Sequence, residues 1–230
     1  MPPENRQCSH NLEMPIRLPI SMLILALGIA HGQAPAAAPP RPQDIKLRGD
    51  RFAPLTYDQL NAAQKKLIED ALQPPLPTVA GPYNAFLRSP EMGDLAHQFG
   101  AYTRFRSSVP TKLNELGIIM AAQFWKAEFI WYAHKRAAIG AGLNPAVADA
   151  IAAGKRPAAM QPDEEAVYNF CNELFTQKQV SDATFSAVKA RLGEQGVVDL
   201  VAGMAYFQFA SMLLDIDRYP LPDNVKPELK

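Results

Sequence analysis

Two long stretches without proline, 111–143 and 163–219, decide what this chain can become. Proline lacks an N–H and fixes φ, so it interrupts helices. The 21 prolines fall mainly between residues 15 and 110 and toward the C-terminal end. Within the first open stretch Leu113, Leu116, Gly117, Met120 and Phe124 recur at helical spacing, and Ile118, Ile119 and Ala121 make the other sides apolar as well. A helix that is hydrophobic nearly all round belongs at the centre of a fold. The helical pattern runs on to Ala141, where Gly142 and Pro145 supply a stop and a restart. Whether 110–141 is one helix or two stays open on pattern alone, since neither Gly140 nor any proline interrupts its middle.

The rest of the chain reads the same way. Thr56-Tyr-Asp-Gln59 has capping-box form, and a helix with Leu60, Leu67, Ile68 and Leu72 on its apolar side is expected to about Gln73. Pro74, Pro75 and Pro77 end it. Gly81-Pro82-Tyr83-Asn84 is a turn signal, and Pro90 opens a helix through Phe105. Further helices are expected at 163–177, 182–192 and 195–216. No segment alternates in the manner of a strand, so the fold class is all-α.

Composition enters through what it excludes. Basic and acidic side chains balance at 23 each, which gives no basic face for nucleic acid. Residues 14–32 have the form of an export signal: Arg17, an apolar run from Leu18 to Ala30, and small residues at Ala30 and Gly32 for cleavage. Thirteen apolar residues fall short of the roughly 20 that span a bilayer, so no stable membrane span is expected after cleavage. The organisation expected is an N-terminal extension and signal peptide over 1–32, an Ala/Pro-rich linker over 33–43 and a helical domain over 44–230. The destination expected from that signal is periplasmic or secreted. Cleavage removes Cys8 and leaves Cys171 alone, which rules out an internal disulfide, a Cys-x-x-Cys pair and a thiolate metal cluster.

Titratable groups gather at one place, Glu115 and the segment Glu128-Phe-Ile-Trp131-Tyr132-Ala-His134. A charge inside a helix bound for the core costs free energy unless it is paired, so these are candidate site residues. Imidazole changes charge between about pH 5 and 8, which makes His134 the candidate proton donor and acceptor. Glu115 is its candidate supporting carboxylate, and the competing reading pairs Glu115 with Lys112 three residues earlier. Glu128 falls where a helix dipole favours a carboxylate, or simply hydrogen-bonds Tyr132. Trp131 and Tyr132 are candidate walls of an apolar cleft, with core packing as the alternative for the tryptophan. Arg104 or Arg106 is placed to hold a substrate carboxylate, or is solvated. No metal site is expected: two domain histidines are too few, and Glu128 and His134 do not share a helical face.

Taken in order, Ser89-Pro-Glu-Met, Arg104-Phe-Arg106-Ser-Ser-Val-Pro110, Leu113-Asn-Glu115-Leu, Glu128-x-x-Trp131-Tyr132-x-His134 and Ala141-Gly-Leu143 resemble the carboxymuconolactone decarboxylase family, which also contains alkylhydroperoxidase D. The resemblance covers roughly residues 80–220. It implies an alkylhydroperoxidase D-like helical domain whose site lies between the third helix and the next, with a helix break near 123–126 and assembly as a homo-oligomer (trimer or hexamer). In the peroxidase branch a Cys-x-x-Cys-x-x-x-His motif follows a glutamate. With its histidine on His134, the cysteines fall on Ala127 and Ile130 and the glutamate on Glu115. The decarboxylase branch lacks these cysteines and needs no cofactor, and its substrate is a small lactone carrying carboxylates. The resemblance therefore implies cofactor-free acid/base chemistry on a small carboxylated or lactone substrate. The readings set against it are a non-catalytic oligomeric binding module and a peroxiredoxin-type activity.

Overall fold

In a computed structural model of the protein, residues 40–230 are described. The expected extension and signal segment, and the linker through residue 39, lie outside the described residues. These hold eight α-helices and no strand. In order they are α1 (Ala62–Ala71), α2 (Tyr83–Phe86), α3 (Pro90–Phe105), α4 (Thr111–Trp125), α5 (Glu128–Gly140), α6 (Pro145–Ala152), α7 (Pro162–Gln177) and α8 (Asp182–Ile216). The all-α class expected from the pattern is what forms.

Helix α4 is the axle. Ten consecutive residues from Leu113 to Ala122 are buried, and α5, α7 and α8 pack around them. An all-round apolar surface has this outcome because every side needs a partner. The pattern-silent break inside 110–141 falls at Lys126, which takes left-handed backbone angles (φ 55°, ψ 30°). The N–H groups of Lys126 and Ala127 return to the carbonyls of Gln123 and Ala122 at 3.2 and 2.9 Å, closing the end of α4. Neither glycine nor proline marks the spot, which is why periodicity alone is blind to it.

Two starts differ from expectation. The Thr56 box closes only a single 3-10 turn, Tyr57–Gln59. Asn61 and Gln64 form a second box that opens α1, with reciprocal bonds of 3.0 and 2.9 Å. Gln64 also donates to the Leu87 carbonyl at 2.7 Å, a long-range anchor that favours the later start. The Gly81–Asn84 turn signal proves to lead into the short helix α2. At the other end, the two helices expected either side of residue 193 are joined as α8 across a kink at Gly193 (φ 70°, ψ 178°), a positive φ that glycine adopts without steric cost. By length and composition α8 is apolar enough to cross a membrane, yet more than half of its apolar stretch is buried inside the fold.

Buried polar groups stitch the layers. Asp199 of α8 accepts from the Ser108 backbone N–H and hydroxyl, both at 2.7 Å, and from the Tyr102 hydroxyl at 2.9 Å. It thereby ties the α3–α4 turn to α8. Burial raises the Asp199 carboxyl, but the Ser108 and Tyr102 donors outweigh it and hold the group below the usual carboxylate range. A depressed folded value contributes stability above the unfolded carboxyl's titration, near pH ~4, and loses it as pH falls through the folded value. Asp199→Asn should therefore cost about 1–3 kcal/mol at neutral pH. It should also flatten the acid limb of melting temperature against pH, as followed by circular dichroism.

Candidate active site

The reversal at Lys126 folds α5 back along α4, and two residues remote in sequence meet. His134 Nδ1 and Glu115 Oε2 lie 2.7 Å apart. Both residues are buried, at 5% and 6% exposure, so the carboxylate's only compensation comes from the imidazole and nearby dipoles. Lys112 does not compete for Glu115. It turns to the other side of α4 and pairs with Asp163 and Glu164, at 3.2 and 2.8 Å. The competing i,i+3 pairing is thereby corrected. An aspartate and a buried glutamate on α7 offer Lys112 two acceptors beyond its own helix.

With Nδ1 committed to a carboxylate, the imidazole carries its proton there and Nε2 is left to act on a ligand. Nε2 makes no hydrogen bond among the described residues. The ring stands edge-on to Phe207, with centroids 4.3 Å apart, and forms part of the wall of a cavity of about 290 Å³. From α5 come Phe129, Ile130, Ala133 and His134; from α8 come Tyr206, Phe207 and Ala210. Helix α3 contributes His97, Gly100, Ala101 and Arg104, and the α1–α2 connection closes one side.

The wall opposite the dyad is polar. Tyr83 Oη lies 2.8 Å from His97 Nδ1. Burial lowers the His97 pKa, so this imidazole is neutral at pH 7, and burial raises the Tyr83 phenol. The Tyr206 hydroxyl is pushed up to about 12 by burial, opposed by the charge of Arg104. A Cβ on Gly100 would lie 2.4 Å from the Tyr206 Cζ and Oη, so this glycine is what lets the phenol lie against α3. Arg104 stacks over Phe105 at 5.0 Å, and its buried Nε has no hydrogen-bond partner.

The other expected residues lie elsewhere. Glu128 accepts the backbone N–H groups of Glu228 and Leu229, both at 3.0 Å, and so clasps the C-terminal segment. Trp131 is 1% exposed and donates to Glu228 Oε2 at 3.3 Å. Tyr132 does not bond Glu128; its hydroxyl accepts from Arg136 at 2.9 Å. Arg106 is exposed and lies over Tyr102. The reason is helical geometry: residues 129, 130, 133 and 134 share the cavity face of α5, while 128, 131, 132 and 135 turn from it. Tyr83, His97 and Tyr206 were not singled out as site residues in the sequence. A signal for α3 existed in His97, Gly100, Ala101 and Arg104, spaced i, i+3, i+4, i+7 with small residues between two polar ones.

No family model matches the sequence, and no protein of curated function matches it significantly. Among solved structures, the chain is similar to a protein of unknown function from Agrobacterium tumefaciens, provisionally described as the antioxidant defence protein AhpD. The TM-score is 0.53 at 13% identity, over 62% of this chain and 99% of that one. The fold is AhpD-like. At that identity the likeness establishes architecture and leaves chemistry to the residues.

Those residues do not support thiol chemistry in the cavity. Ala127 is buried at the N-cap of α5, and Ile130 presents hydrocarbon to the cavity. Cys171 is on α7, wholly buried with its Sγ 3.6 Å from Met204 Sδ, and burial pushes its thiol up to about 12. A thiolate nucleophile is thus suppressed where the one described cysteine stands. Cys171 is expected to resist an aromatic disulfide reagent at pH 8 in the native protein and to react promptly once guanidinium unfolds it. Gly100→Ala is expected to displace Tyr206, and near-ultraviolet circular dichroism would register the altered tyrosine environment.

Proposed function

We propose that this chain is a cofactor-independent acid/base enzyme of the carboxymuconolactone decarboxylase type, with His134 as the proton carrier and a small carboxylated or lactone substrate. The observation that carries the reading is the buried dyad, one imidazole nitrogen held by Glu115 at 2.7 Å and the other unbonded at the wall of a cavity. General acid/base catalysis needs this division of labour, a fixed tautomer and a free nitrogen within reach of the reacting atom.

The chemistry balances without a redox partner. When the carbon–carbon bond to the carboxylate breaks, carbon dioxide leaves and the bonding pair passes into a carbonyl conjugated with that carbon, as an enolate. A proton on His134 Nε2 then returns to the carbon or to the enolate oxygen, and the neutral imidazole is recharged from water. Glu115 touches no substrate. It is a positioning residue, which holds the ring by Nδ1 and stabilises the imidazolium that precedes proton donation.

Turnover of a panel of β-keto acids and lactone carboxylates, followed by carbon dioxide release, tests the assignment. His134→Gln should lower turnover by about 100- to 10,000-fold, the usual contribution of a positioned acid/base group. Equal turnover by wild type and His134→Gln would falsify it. Glu115→Leu should release the ring, so that the 15N resonances of His134 no longer report proton occupancy at Nδ1. Glu115→Asp should restore part of that signature and part of the rate.

A further inference from the structure

The cavity's charges, counted group by group, limit what it can hold. Arg104 is the only permanent cation among the residues that line it. Asp70 lines it too, but is paired with Lys66. Glu115 is spoken for by His134. His97 is neutral near pH 7, and the Tyr83 and Tyr206 phenols keep their protons. One positive charge therefore remains without a partner. Among the described residues no carboxylate or carbonyl bonds the Arg104 guanidinium, and its Nε is buried and unpaired.

A buried N–H without an acceptor carries a cost that an anion would remove. Apart from the guanidinium, the dyad and the Tyr83–His97 pair, much of the wall is aromatic or aliphatic, with Phe105, Phe129, Ile130 and Phe207. The volume of about 290 Å³ is at the small end of ligand sites. We propose that the ligand is a small monocarboxylate with an apolar, preferably unsaturated or aromatic body, its carboxylate held by Arg104 and its body between the phenylalanines. A dicarboxylate is the wrong class. Its second charge would find no second permanent cation among the lining residues.

This rests on the cavity being the reaction site, and it adds a consequence for turnover. Removal of the carboxylate as carbon dioxide abolishes the one group that Arg104 holds, and the neutral product loses its anchor. Substrate recognition and product release are then two states of a single ion pair.

Equilibrium titration with benzoate, its neutral isostere benzamide and the dianion phthalate separates the possibilities, read by calorimetry on the full chain. Benzoate should bind at least about tenfold more tightly than either of the others, the ratio expected for a hydrogen bond to a charged group. Arg104→Gln should erase the preference for benzoate over benzamide, and Arg104→Lys should keep part of it, with thermal melts confirming that both variants fold. Arg106→Gln should leave benzoate binding within about twofold, because that arginine is exposed and does not line the cavity. Phthalate binding as tightly as benzoate, benzoate failing to bind wild type, or Arg104→Gln binding benzoate unchanged would each overturn the monocarboxylate assignment. None of these outcomes bears on turnover by His134, which is judged by its own substitution.

Discussion

A carboxylate in the middle of a core helix is the constraint from which the rest of this structure follows. Glu115 sits on α4 among ten consecutive buried residues, where an unpaired charge would be severely penalised. The chain meets the problem by reversing at Lys126 and bringing His134 back from α5 to within 2.7 Å. The left-handed turn, the close packing of α5 on α4 and the aromatic support of Phe207 all serve to keep that imidazole in place. Because the pair is sheltered, water does not compete for Nδ1, and the tautomer is set by the fold.

Helix α5 is a divider with two employments. One face gives the cavity His134 and part of its hydrocarbon wall. The other is tied down by Glu128, Trp131 and Lys135, all of which reach the segment around Glu228. Acids and aromatics adjacent in sequence thus part company in space, separated by the 100° that a helix turns per residue. Opposite α5, the meeting of α3 with α8 depends on a backbone position without a Cβ, at Gly100. The phenol admitted there completes the polar wall.

The sequence was most legible where one physical signal dominated. Apolar periodicity located α4 and, as two separate helices, the halves of α8, and Pro90 marked the start of α3 to the residue. The dyad was legible because a glutamate and a histidine stand where an apolar run gives them no reason to be. The cluster around it was harder to divide, because Glu128, Trp131 and Tyr132 have the residue types of a site but occupy the wrong helical face. The Tyr83–His97 pair and Tyr206 were hidden for a different reason: they come from three separate elements, and only tertiary packing of α2, α3 and α8 assembles them. The start of α1 falls later than the first box suggests because two capping boxes in succession compete, and the long-range bond from Gln64 to Leu87 favours the second.

The cavity's make-up has one more implication. Among the described residues neither cysteine nor methionine lines it, and Ile130 occupies a place where a thiol would face the same space. Sulfur is the element in side chains that oxidants convert most readily to sulfenic acid or sulfoxide. A cavity walled by carbon, imidazole, phenol and guanidinium holds no sulfur for such oxidants to reach. Its lining therefore offers hydrogen peroxide no thiolate to convert and no thioether to turn into a sulfoxide.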